Sequence, residues 1–243
     1  MRYLEIDAAA VPEEPGYPFD LAVVAALRGR RLELGPGVTF LVGENGSGKS
    51  TLVEAIAVAA GFNAEGGSRS FRFSTRSSES ALGGALRVGR APGRELSSFF
   101  LRAESYYNVA TEIERLDEGS HQILGGYGGV SPHERSHGQS FLDLLNHRFR
   151  PGGLYLLDEP EAALSVTGCM AALARIHELA RQGSQFIVAT HSPILLAVPR
   201  SRILEIGDDG RLHTVEYDDA LPVVTMRAFL ADPARRVRDL LRP

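Results

Sequence analysis

Lys49 is the only lysine in this 243-residue chain; the other 25 basic residues are all arginine. It lies in Gly43-Glu44-Asn45-Gly46-Ser47-Gly48-Lys49-Ser50, which fits G-x-x-x-x-G-K-[ST], the pattern of a loop that cradles phosphates. A guanidinium is a planar fork, whereas an ammonium is a compact point charge on a flexible stem that can slide between phosphate oxygens. A chain that otherwise takes its positive charge from arginine keeps a lysine here, which marks a nucleotide site. In such a loop successive backbone N–H groups and the following helix N-terminus surround the β-phosphate, and the lysine reaches the β- and γ-phosphates. Gly43, Asn45, Gly46, Ser47 and Gly48 then form the cradle. Ser50 holds Mg²⁺, and Thr51 is placed to touch the α-phosphate.

Two further positions carry chemistry. Asp158 and Glu159 follow the apolar run Leu154-Tyr155-Leu156-Leu157, and adjacent carboxylates at a strand end are costly unless something cationic or protonatable uses them. Asp158 suits a Mg²⁺ ligand and Glu159 can orient or deprotonate an attacking water. The plainer reading, a helix N-cap with favourable dipole charge, weakens beside a phosphate loop. His191, in Thr190-His191-Ser192-Pro193, sits where it can sense a γ-phosphate, although the segment also reads as a turn. His121, His133, His147, His177 and His213 have no such placement and are read as structural.

These residues need elements to hold them. Val38 to Val42 is a continuous apolar, β-rich run, as expected of a buried parallel strand, and it leads into the Gly-rich loop. Lys49 to Ala60 has helical spacing with Gly61 as its stop. Leu154 to Leu157 is a second core strand, a helix is expected from about Glu161 to Arg181 with a stop near Gly183, and Gln185 to Thr190 is a third strand that delivers His191. Alternating strands and helices imply a mainly parallel sheet with ligands at the carboxyl ends of the strands. Ile203 to Ile206 and Arg211 to Tyr217 flank Asp208-Asp209-Gly210, a hairpin signal.

The remaining segments are less regular. Arg2 to Asp7 reads as a short strand and Val11 to Pro18 as a Pro-rich loop. Leu96 to Leu116 reads as mostly helical. A Gly-rich linker, Gly125 to Gly129, precedes a helix from Gln139 to Phe149, and Thr225 to Arg242 reads as a short helical tail. Between Asn63 and Glu95, Arg69, Arg72, Arg76, Arg87, Arg90 and Arg94 outnumber Glu65, Glu79 and Glu95, with Phe71 and Phe73 among them. That stretch reads either as a contact for RNA, DNA or a partner protein, or as a solvated loop with an edge hairpin. The second is preferred, because neither the aromatics nor the arginines form a known code.

Hydrophobic content of 44%, charged content of 23% and a net charge of −4 are ordinary for a globular protein. A strongly basic balance, the usual mark of bulk nucleic-acid binding, is absent, so nucleic acid is unsupported as a partner. Cys169 is the single cysteine, which excludes an intramolecular disulfide and suits a reducing, cytoplasmic setting. The acid-rich stretch from Met1 to Asp20 does not read as a signal peptide, and no apolar run reaches the length of a membrane span, so direct membrane insertion is not expected. No internal repeat of the kind that builds solenoids or propellers is evident.

The set Gly43 to Ser50, Asp158-Glu159 and His191, in that order, resembles the ATP-binding-cassette (ABC) class of ATPases. Ser136-His137-Gly138-Gln139, a short way before Asp158, adds to the likeness, because that class carries a Leu-Ser-Gly-Gly-Gln signature there. Ser136, Gly138 and Gln139 match, whereas Arg135 and His137 depart. The resemblance covers nearly the whole chain. It implies an α/β P-loop fold with a mainly parallel core sheet, an antiparallel β part and a small helical lobe at about 96–150, all within one domain spanning 1–243. It also implies ATP and Mg²⁺ as cofactors, ATP hydrolysis, and a signature that binds the γ-phosphate held by a second subunit, hence an ATP-dependent homodimer. Tyr17 or Phe19 would stack on adenine, though both also suit loop or core anchors.

Departures bear on the subclass. Transporter cassettes usually continue after the carboxylate pair with Thr-Ser-Ala-Leu-Asp, whereas this chain has Glu161-Ala162-Ala163-Leu164-Ser165. Asp-Glu-Pro-Glu looks more like the soluble AAA-domain group related to RecF-like, chromosome-maintenance and overcoming-lysogenization-defect ATPases. The glutamine by which transporters couple to their membrane domain is missing; Glu104 or Asn108 is the candidate replacement. The span from Lys49 to Ser136 is too short for long coiled-coil arms. The expectation is a compact ATPase head acting on an unidentified protein partner. A transporter energy subunit, or a weakly hydrolysing ATP-gated clamp in DNA repair or phage defence, are the alternatives.

Overall fold

A computed structural model describes residues 1–69, 81–93, 95–104, 106–117, 125, 129 and 136–242. Phe71, Arg72, Phe73, Arg76, Glu79, Arg94, His121, His133, Arg135 and most of the linker 125–129 lie outside the described residues. A small antiparallel sheet is made of β1 (Tyr3–Ile6), β2 (Arg31–Glu33) and β4 (Leu86–Gly89), with β1 in the middle. The larger sheet comprises β3 (Val38–Val42), β5 (Ser98–Arg102), β6 (Leu154–Asp158), β7 (Gln185–Ala189), β8 (Arg202–Ile206) and β9 (Leu212–Val215). Its strands lie in the order β5-β6-β7-β3-β8-β9. All neighbours in it are parallel except the β8–β9 hairpin.

The parallel strands are covered on both faces, which explains their unbroken apolar runs: every residue of β3, β6 and β7 is buried. Alternate side chains feed two cores. Phe40, Phe99, Leu157, Phe186 and Val188 pack on one side with Ile113 of helix α4 (Tyr106–Asp117) and Ile176 and Leu179 of α6 (Val166–Arg181). On the other, Leu41, Phe100, Leu156 and Ile187 meet Leu52 and Ile56 of α2 (Lys49–Ala59) together with Leu4, Leu32 and Leu86 of the small sheet. The short α1 (Ala22–Leu27) and α3 (Ala81–Ala85) complete that side through Val23, Leu27 and Leu82.

Several expectations are corrected. Leu96 to Leu116 is helical only from Tyr106 onward: its first half carries β5, the edge strand beside β6. Phe99-Phe100-Leu101 is buried on both faces, so the tertiary setting rather than local propensity selects extended backbone. The Arg-rich stretch holds no edge hairpin among its described residues; β4 pairs instead with the distant β1. The helix after Asp158 does not start at Glu161. Pro160–Ala163 is a 3₁₀ turn, and α6 begins at Val166, where the Ser165 hydroxyl caps it by accepting from the Gly168 N–H at 3.1 Å.

The helix read from Gln139 is α5 (His137–Asp143) continued by a π-helical turn, Leu144–Arg148. The tail is longer than expected, α8 (Leu221–Ala231) and α9 (Pro233–Leu240), while α7 (Pro193–Leu196) follows His191. Among the described residues no helix is long and apolar enough to cross a membrane.

Candidate nucleotide site

β3 ends at Val42 and the chain turns through the Gly-rich loop into α2. Gly48 stands at the helix N-cap with φ +93°, and a Cβ there would lie 2.7 Å from Val23 Cγ1, so both backbone and packing require glycine. Gly46 also has positive φ, but a Cβ there would meet nothing within 4 Å, leaving that part of the loop open to a ligand. The Lys49 ammonium donates to the carbonyls of Gly43 and Glu44, each at 2.9 Å. Burial lowers its pKa below the ordinary lysine value, and the carboxylates of Glu159, Asp158, Glu44 and Glu161 push it back up. The cation expected to meet phosphates thus sits inside a ring of acids from two segments.

Asp158 ends β6 with its carboxylate buried. Burial pushes its pKa up to about 6; a hydrogen bond from the Ser50 hydroxyl and the charge of Arg102 oppose this, and Glu159 and Glu104 add to it. Its Oδ1 is buried and has no hydrogen-bond partner, an arrangement that suits an ion. Among the described residues no three His, Cys, Asp or Glu side chains gather into an ion cage. Mg²⁺ takes one or two protein ligands and completes its shell with phosphates and water. Ser50 and Asp158 fit the metal role read from sequence.

Glu159 adopts a left-handed backbone conformation, φ 48° and ψ 51°, which costs a non-glycine residue about 1–2 kcal/mol. The strain re-aims the chain straight after the strand. Glu159 Oε1 comes to 3.4 Å from His191 Nε2. His191 follows β7, the strand between β6 and β3, so the neighbouring ends of β3, β7 and β6 carry Lys49, His191 and Asp158–Glu159 to one rim.

Sequence reasoning missed Glu161. One of its carboxylate oxygens accepts from the Thr190 hydroxyl at 2.7 Å and from the His191 backbone N–H. A charged acceptor bonded to a fully buried hydroxyl and to the histidine's own amide fixes the turn that presents the imidazole. Its only sequence signal is a fourth position in Asp158-Glu159-Pro160-Glu161, and nothing local names its partners. Also missed were Arg102, opposite Asp158 in the β5–β6 register, and the α8 wall. Leu221, Pro222, Thr225, Met226 and Phe229 of that helix line a cavity of about 450 Å³ with Gly43, Glu44 and His191.

The signature residues form a helix start. The Ser136 hydroxyl accepts from the Gln139 N–H and the Gln139 side-chain oxygen accepts from the Ser136 N–H, both at 3.3 Å, a reciprocal capping box. A Cβ on Gly138 would lie 2.8 Å from the Ala163 carbonyl oxygen, so α5 packs directly on the turn that follows Glu159. Contacts of Ser136, Gly138 and Gln139 run to one another, to Ser140 and to Ala163. Of the two aromatic candidates, Phe19 belongs to the core, whereas Tyr17 is 73% exposed with its hydroxyl 3.3 Å from Thr51 Oγ1. Glu104 is exposed and pairs with Arg102 at 3.6 Å, and the Asn108 amide donates to Glu65 at 3.3 Å; neither takes the place next to Asp158, which Arg102 holds.

Comparison with known proteins shows the family and the fold. An AAA-domain family matches residues 24–120, and a second AAA-domain family, whose description names the AbiEii toxin and a Type IV TA system, matches residues 94–197. The hemin import ATP-binding protein HmuV of Pseudomonas aeruginosa is 30% identical over 203 residues, covering 77% of this chain and 79% of the relative. The macrolide export ATP-binding/permease protein MacB of Hahella chejuensis is 27% identical over 237 residues, covering 87% of this chain but 34% of the relative, so the chain spans about a third of that protein. The solved structure of UvrA2 from Deinococcus radiodurans shares the fold with a TM-score of 0.51 at 14% identity, over 93% of this chain and 40% of that one.

Proposed function

The chain belongs to the ABC-type P-loop ATPases, whose members use ATP with Mg²⁺, and from that premise we propose that it hydrolyses ATP and uses the cycle to join and separate a pair of its own copies while acting on a protein partner. The observation that carries this reading is the convergence of Lys49, Ser50, Asp158, Glu159 and His191 at the ends of adjacent parallel strands.

ATP bound with Mg²⁺ supplies the electrophilic γ-phosphorus and a good leaving group. Lys49 exchanges its two loop carbonyls for β- and γ-phosphate oxygens. Ser50 and Asp158 would hold the metal, which would draw charge from the γ-phosphate. Glu159 accepts the proton of the attacking water, and His191 steadies the γ-phosphate from the neighbouring strand. ATP and water become ADP and phosphate. Thr51 and the exposed Tyr17 lie on the side of α2 where the α-phosphate and the base would lie, and a phenol ring there can stack on adenine.

Ser136, Gly138 and Gln139 serve the γ-phosphate of a second copy in this reading. The capping box then has to open toward that ligand, or the ligand has to bind outside it. Because Gly138 rests on the turn after Glu159, closure of the dimer would be felt at the catalytic carboxylate. We read the location as cytoplasmic, a reducing setting that the free, buried Cys169 suits.

The test is ATP turnover by wild type, Lys49→Ala and Glu159→Gln, with gel filtration of Glu159→Gln in ATP. Loss of turnover in both, with ATP-dependent dimers of the glutamine variant, is expected. Equal turnover in all three proteins sinks the site assignment. A second reading, the energy subunit of a transporter, is favoured by the likeness to import and export ATP-binding proteins. Co-purification with a membrane protein would decide for it.

A further inference from the structure

Next to the carboxylate assigned to the metal stands a positive charge that the reaction above does not use. Arg102 ends β5 directly opposite Asp158 in the parallel register. Its guanidinium reaches three acids: Nη1 lies 2.6 Å from Glu54 Oε2, Nη2 3.6 Å from Glu104 Oε2 and Nε 3.7 Å from Asp158 Oδ2. Glu54 lies one helical turn beyond Ser50 in α2, so the metal-binding hydroxyl and the acid that grips Arg102 share one helix face.

The fit between Arg102 and Asp158 is incomplete in an informative way. Arg102 Nε and Asp158 Oδ1 are both buried without a hydrogen-bond partner. At 3.7 Å the pair is too long for a hydrogen bond but close enough for a strong Coulomb attraction at a site shielded from water. Arg102 therefore offsets the charge of Asp158 without hydrogen-bonding to it. Glu54, by contrast, holds Arg102 in place by a short charged bond from the floor of the site.

We infer that Arg102 is a resident cation of the metal site, balancing Asp158 and Glu54 before the nucleotide arrives and setting how much Mg²⁺ the site then requires. The inference rests on the reading of Ser50 and Asp158 as metal ligands. Mg²⁺ reaching Asp158 meets a fixed positive charge a few ångström away, which lowers its affinity. The same charge favours the nucleotide's own anionic phosphates when no metal is present. Arg102 is a positioning and tuning residue, acting through Asp158.

The experiment follows a fluorescent ATP analogue binding to the full chain, first in chelator and then through a Mg²⁺ titration, for wild type, Arg102→Gln and Arg102→Lys, with Lys49→Ala as control. Removing one unit charge near a divalent ion changes its affinity on the order of tenfold even in a water-like dielectric. Arg102→Gln is thus expected to need about tenfold less Mg²⁺ for half-saturation and to bind nucleotide more weakly in chelator, while Arg102→Lys stays near wild type. Glu54→Gln keeps the arginine and removes a counter-charge, so its Mg²⁺ half-point is expected to rise.

A general loss of structure would weaken binding in both conditions and could not lower the Mg²⁺ requirement. An unchanged or raised half-point in a folded Arg102→Gln, or no shift in Glu54→Gln should Arg102→Gln fail to fold, overturns the inference while Lys49-dependent binding still upholds the site. Absence of Lys49-dependent nucleotide binding in wild type overturns both.

Discussion

His191 Nε2 lies 3.4 Å from Glu159 Oε1, although the two residues follow different strands and both side chains are partly exposed. Two groups that touch before any ligand is present act on the reaction as a unit rather than as independent contributors. General-base action is worth about 10²–10⁴-fold. Glu159→Gln and His191→Ala are each expected to lower kcat by about two orders of magnitude, and the double variant to fall little further. Steady-state kinetics of the four proteins measures the coupling; strictly multiplicative losses would mean that the contact has no bearing on turnover.

Glu161 should matter without touching nucleotide. Glu161→Ala leaves the buried Thr190 hydroxyl and the His191 amide without their acceptor, and an orphaned buried donor costs about 1–3 kcal/mol. A lower urea midpoint and reduced kcat with nearly unchanged ATP affinity are expected. Glu161→Gln, which still offers a side-chain oxygen, should recover much of both. If the alanine variant lost ATP affinity instead, the residue would belong to the binding surface.

Gly138 offers a steric probe of the link between α5 and the turn after Glu159. The Cβ of Gly138→Ala would lie 2.8 Å from the Ala163 carbonyl oxygen, so the helix or the turn must shift, at a cost of about 1–3 kcal/mol. ATP affinity should hold while turnover drops, because the displaced turn begins at Glu159, the carboxylate proposed to position water. Unaltered turnover would show that the two elements move independently.

Asp158 gives a pH signature. Its folded-state pKa is raised from the ordinary 3.8 to about 6, mainly by burial. Between those values the folded protein holds a proton that the unfolded chain has lost, so stability falls as pH rises through this window. The penalty is absent below about pH 4 and complete above about pH 6, on the order of 3 kcal/mol. Asp158→Asn should therefore be more stable than wild type at mildly alkaline pH without nucleotide, with the difference closing toward pH 4. Mg²⁺ requires the ionised carboxylate, so nucleotide-linked metal binding should fade as pH falls through about 6. Urea unfolding of both proteins across this range checks the sign.

Tyr17 is exposed enough to change without disturbing the fold. Stacking of a base on an aromatic ring is worth about 1–3 kcal/mol, so Tyr17→Ala should weaken ATP binding on the order of tenfold while its melting temperature stays put. Tyr17→Phe keeps the ring and should bind normally. Equal affinity in all three proteins would remove Tyr17 from the site.

Much of this is legible in the sequence because the chemistry repeats locally. The Gly43–Ser50 loop, its preceding apolar strand and its following helix are contiguous, and the apolar runs before Asp158 and His191 announce buried strands. What escapes depends on partners far along the chain. Phe99-Phe100-Leu101 carries no period that separates helix from strand, and its extended form comes from β6, which lies on the far side of the helical lobe in sequence. Arg102 meets Glu54 and Asp158, and Glu161 meets Thr190 and His191, across gaps that no local pattern spans. The helix after Asp158 starts later than its residues suggest because Leu164 and Ser165 are extended and the Ser165 hydroxyl caps a new start, while Glu159 itself takes a conformation its residue type disfavours. Such local violations gather where function outweighs propensity.

The left-handed turn at Glu159 also sets a direction of drift. Glycine, or to a lesser degree asparagine, would hold that backbone conformation with less strain, so the substitutions that abolish water activation are among those that relax the chain. Stability alone would steer copies of this protein toward silent ATP binders. If Glu159 activates water as proposed, turnover and backbone strain make opposite demands on position 159.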